Sequence, residues 1–119
     1  MKNFVQPGHV LEIAAAVGAV AAGQVVVIGA HLAVANYGAA NGMPYNASLS
    51  GVFEVPKSAG VAFVQGQPLM WDASASAFAA VGTPAAGDVT VGGVTAFVAA
   101  GSADTKALVR FAGTPGTVT

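Results

Sequence analysis

Gly23-Gln24-Val25-Val26-Val27-Ile28 is the stretch on which the fold turns. It lies inside Ile13 to Ala35, a segment without Asp, Glu, Lys or Arg that is long enough to cross a bilayer as a helix. Yet the segment is mostly Ala, Gly and Val, holds Gln24 and His31, and lacks leucine-rich bulk or an aromatic belt. A Gly-Gln break followed by four β-branched residues reads instead as a turn and a buried strand. No membrane span is expected.

Working outward, Gly or Pro recurs at intervals too short for long helices, from Pro7-Gly8 to Gly113. The intervals carry strand-like runs at His9 to Ala15, Gln24 to Ile28, Leu32 to Ala35, Ala47 to Val55, Pro68 to Asp72, Ala77 to Ala80, Val89 to Val98 and Lys106 to Phe111. Apolar and polar residues alternate most clearly in Val10-Leu11-Glu12-Ile13 and Lys106-Ala107-Leu108-Val109-Arg110-Phe111, so one face of each is expected to be buried. About eight short strands of this kind predict an all-β fold, a compact barrel or sandwich. The one segment with helical signals is 57–64, where Pro56 closes a strand and Ser58 is placed to cap a turn or two before Gly66.

Gly23-Gln24-Val25 and Gly66-Gln67-Pro68 are 43 positions apart, and Leu49-Ser50-Gly51-Val52 matches Val91-Gly92-Gly93-Val94 at an offset of 42. Two half-domains of similar strand order would produce these offsets, and so would chance in a Gly- and Val-rich chain.

Composition removes several function classes. Only 8% of the 119 residues are charged and 55% are hydrophobic, so disorder is excluded. With 4 Lys+Arg against 5 Asp+Glu there is no electrostatic footprint for nucleic acid or an anionic membrane. There is no cysteine, hence no disulfide, thiolate site or cysteine nucleophile. The first eight residues lack the apolar run of a secretory signal.

Chemistry is equally sparse. His9, His31 and Asp72 supply the residue types of a hydrolytic triad, but no Gly-x-Ser-x-Gly elbow accompanies them. The two histidines are isolated from each other and from clustered carboxylates, so no metal is expected. Asp72, Asp88 and Asp104 recur every 16 residues and read as turn residues at strand ends. No Lys follows a Gly, so there is no phosphate loop, and the dinucleotide fingerprint is missing too. No enzyme and no cofactor are expected. Most aromatics read as core, with Trp71 half-buried at a strand end, whereas Tyr37 and Tyr45 flank the loop 38–44 and read as an exposed contact patch. The apolar excess of so small a chain points to burial between subunits, hence a homo-oligomer of cyclic symmetry.

Four blocks in order, Met1 to Gly8, Gly23 to Val27, Gly51-Val52-Phe53-Glu54-Val55-Pro56-Lys57, and Gln65-Gly66-Gln67-Pro68-Leu69-Met70-Trp71-Asp72, resemble the DUF2190 family of phage and prophage capsid cement, or head decoration, proteins. The resemblance covers residues 1 to about 112. It implies a single β domain at 1–112 with an N-terminal arm at 1–7, and it leaves 113–119 as a short tail of no assigned role. It further implies a structural virion protein made in the bacterial host cytoplasm. There a homotrimer sits on the outer surface of the head and clamps neighbouring subunits of the major capsid protein. The family has no catalytic residues to carry over. Candidate capsid or subunit contacts are Lys2, Asn3, Phe4 and Val5 of the arm, with Tyr37 and Tyr45. A competing reading is a small-ligand or glycan-binding β domain presenting Tyr37, Tyr45 and Trp71.

Overall fold

A computed structural model describes residues 8–119, which fold into eleven strands and no helix. The strands are β1 (Val10–Ile13), β2 (Val25–Ile28), β3 (His31–Ala35), β4 (Tyr45–Ser48), β5 (Ser50–Pro56), β6 (Leu69–Asp72), β7 (Ala77–Ala80), β8 (Val89–Thr90), β9 (Val94–Ala96), β10 (Lys106–Ala112) and β11 (Thr117–Val118). They form three antiparallel sheets, ordered β1-β4-β3-β2, β5-β10-β9 and β11-β8-β6-β7. The chain is all-β and sandwich-like, as the punctuation predicts.

Two predicted runs each divide between sheets. Ala47 to Val55 breaks at Leu49, sending β4 into the first sheet and β5 into the second. Val89 to Val98 breaks at Val91-Gly92-Gly93, separating β8 from β9. The expected helix at 57–64 is absent. Lys57 and Phe63 are both buried there, and isolated bridges to Phe78 and Ala100 hold them. Gly60 between them lets the segment turn back, so tertiary anchors override a weak local signal. Residues 117–118 also form a strand, paired with β8.

The main core lies between the sheets and is built on β10, where Ala107, Val109 and Phe111 are buried and Lys106, Leu108 and Arg110 face outward. Its large side chains form an edge-to-face chain. Phe53 meets Phe111 at 5.6 Å, Phe111 meets Phe78 at 5.7 Å, and Phe78 meets Trp71 at 5.0 Å. Each such pair adds about 1 kcal/mol beyond its area. β3 is buried on both faces. Leu32 and Val34 join this core, while Ala33 and Ala35 join a second cluster with Val26, Ala47 and Tyr45. Alanine on that second face lets the loop carrying Ala16 and Val20 lie close over the sheet.

One turn recurs through the chain. Gln24 donates its N–H to the Ala21 carbonyl at 3.1 Å and accepts the Ala21 N–H on Oε1 at 3.1 Å. Gln67 repeats this on Val64, Asp88 on Ala85, and Asp104 on Gly101. In the first three, the third residue is a glycine at φ near +80° to +88°, the geometry of a type II turn. Each of those three also grips one distant residue by two backbone bonds, Ala35, Ala96 and Thr119 respectively. The two Gly-Gln matches in the sequence therefore adopt one conformation. The strand order of the two halves differs, because β4 pairs with β3 whereas β8 pairs with β6.

Candidate functional site

The polar residues that invited a catalytic reading serve the turns. Asp72 Oδ1 accepts from the Ser74 hydroxyl at 2.7 Å and from the N–H groups of Ser74 and Ala75. The Ser74 hydroxyl, the Ala75 N–H and then the Ser74 N–H hold its carboxyl below the usual carboxylate range, with desolvation opposing them. Asp88 is buried and accepts from Ala73 N–H at 3.0 Å and Ala85 N–H at 2.8 Å. Asp104 Oδ2 caps Gly101 at 2.8 Å. His31 closes the β2–β3 hairpin opposite Ile28, and its Nδ1 is buried without a partner. Among the described residues, no three His, Asp or Glu side chains come together as a metal site, and no helix is long and apolar enough to cross a membrane.

The aromatic patch is only half present. Tyr37 is 48% exposed, but Tyr45 is buried at 4% in the second core cluster, which corrects its reading as an exposed contact. The cause is strand parity: in β4, Tyr45 and Ala47 point to the cluster while Asn46 and Ser48 point away. Trp71 is also buried rather than half-buried, packed on Phe78. The three rings do not form a shared platform for a ligand. Tyr37 and Tyr45 do line one open cleft of about 360 Å³ with Glu12, Ile13 and Asn46. Lys2, Asn3, Phe4 and Val5 lie outside the described residues.

A second surface is more apolar. Pro68, Leu69, Val81, Val91, Val94 and Thr114 line a groove of about 550 Å³ whose lining has no charged residue. Val81 and Val91 are 55% and 79% exposed. Val91 has φ +57°, a left-handed conformation that costs a β-branched residue about 1–3 kcal/mol. Gly116 packs closely on this turn: a Cβ on it would stand 2.6 Å from the Thr90 carbonyl oxygen and 2.9 Å from Gly92 Cα. Composition hinted at apolar surface, but no local signal singled out Val91.

The described residues form a small, almost uncharged β-sandwich with an apolar groove on its surface. A family model described as phage cement protein matches residues 5–111, and the chain belongs to that family. Comparison with the curated proteins and with the solved structures finds no match. Membership makes this a structural component of the phage capsid.

Proposed function

We propose that the chain assembles as a homotrimer on the outer surface of the phage head and clamps neighbouring major capsid subunits. The observation that carries this reading is the groove at Val81 and Val91, an exposed apolar surface with a strained residue at its rim. Its attachment energy comes from apolar contact and shape, because the surface offers little charge. A trimer repeats the groove three times, so individually weak contacts sum into firm attachment. Tyr37, which lines the separate cleft at Glu12, adds an exposed ring. Lys2, Asn3, Phe4 and Val5 supply further contacts to the capsid or to a neighbouring subunit.

The test is sedimentation of the purified protein alone and after mixing with heads stripped of outer proteins. A three-subunit species that pellets with heads and raises their resistance to heat supports the reading. A monomer that stays in the supernatant refutes it. Removing residues 1–6 without loss of head binding removes the arm from the contact.

A further inference from the structure

We propose that the outward face of the β5-β10-β9 sheet is the subunit interface, turned toward the three-fold axis of a trimer of this chain. This rests on the trimeric reading above and names the surface that builds it.

The charges single out this face. Of the charged side chains in residues 8–119, Asp72, Asp88 and Asp104 are bound to backbone N–H groups and Lys57 to backbone carbonyls. Of the four others, Glu54, Lys106 and Arg110 stand together here, and Glu12 stands elsewhere. Register places Glu54 of β5 opposite Leu108 of β10, with Lys106 and Arg110 two residues to either side. The same face exposes Val52 opposite Arg110, and Phe97, whose N–H bonds the Leu108 carbonyl. Val52, Leu108 and Phe97 are 42%, 36% and 46% exposed.

A face carrying both signs on adjacent strands is complementary to itself. One built for an acidic or a basic partner would carry a single sign. The acid sits on the edge strand and the bases on the central strand, so in a trimer the β5 side of one copy meets the β10 side of the next. Such a contact is head-to-tail, and a head-to-tail contact closes into a ring where the rotation between copies allows it, here the three-fold rotation of the trimeric reading. Three sheets facing a common axis then bury Leu108, Val52 and Phe97 within a ring of Glu54 to Arg110 pairs.

Sedimentation of Leu108→Glu, with its thermal melt as a folding control, tests the interface. Wild type is measured first; any state other than three subunits overturns the trimeric reading, and this proposal with it. Given a wild-type trimer, a folded Leu108→Glu monomer supports the interface and a folded Leu108→Glu trimer overturns it. Should Leu108→Glu not fold, charge exchange decides. Dissociation of Glu54→Arg and reassembly of Glu54→Arg/Arg110→Glu support the pairing. An undisturbed Glu54→Arg trimer, or a double variant that stays apart, overturns it.

Discussion

Lys57 Nζ stands 4.9 Å from the centroid of the Phe63 ring, and both side chains are buried. The ammonium also donates to the carbonyls of Ser58 at 2.9 Å and Asp104 at 3.3 Å. A buried cation is held here by two carbonyl dipoles and a π face. It pins the segment 57–63 to the turn before β10.

Lys57→Met keeps the stem but leaves two carbonyls without their donor. A loss of about 1–3 kcal/mol is expected, read as a lower midpoint in chemical denaturation. An unchanged midpoint would show that water replaces the ammonium at no cost.

Gly116→Ala places a methyl against the Thr90 carbonyl, the Val89 side chain and Gly92, at 2.6 to 2.9 Å. Because two of these neighbours are backbone, about 1–3 kcal/mol of destabilisation is expected. Gly18→Ala is no control because of its positive φ, whereas Gly8→Ala, with no described residue within 4 Å, should fall within about 0.5 kcal/mol of wild type.

Val91→Gly separates stability from attachment. Relief of the left-handed strain outweighs the added freedom of the unfolded chain, for a net gain of about 1 kcal/mol. The same change removes an exposed apolar side chain from the groove, so binding to stripped heads should weaken. Denaturation and co-sedimentation on one preparation check both halves, and a variant that binds heads as wild type does would take Val91 out of the contact.

Asp72 gives the expected pH dependence. Its folded-state pKa is depressed by the Ser74 hydroxyl, the Ala75 N–H and the Ser74 N–H, so its contribution is complete above the unfolded-state value. It is lost as pH falls through the folded-state value, in the window below about pH 4. Asp72→Asn should flatten the acid limb of the melting-temperature profile relative to wild type, and parallel acid limbs would argue against the linkage.

Strand positions were legible because β-branched runs and glycine punctuation are local signals, and Lys106 to Phe111 alternates in the structure as it does in the sequence. The sheet changes at Leu49 and Val91 were not, since a strand looks the same whichever sheet receives it. Tyr45 shows the limit for the contact surface. Its neighbours mark a loop edge, but its burial follows from the parity of β4 and from a cluster contributed by distant residues. Lys57 was hidden for the converse reason: a lysine reads as exposed until the carbonyls and ring that surround it are brought together by the fold.

The recurring turns have a mechanical consequence. Gly23, Gly66 and Gly87 tie their turns by paired backbone bonds to Ala35, Ala96 and Thr119, residues well removed along the chain. A pull on the chain at one of these turns is thereby shared with a second segment. Opening any of the three turns therefore costs two backbone bonds at once, which ties a chain of so little mass together at points far apart in its sequence.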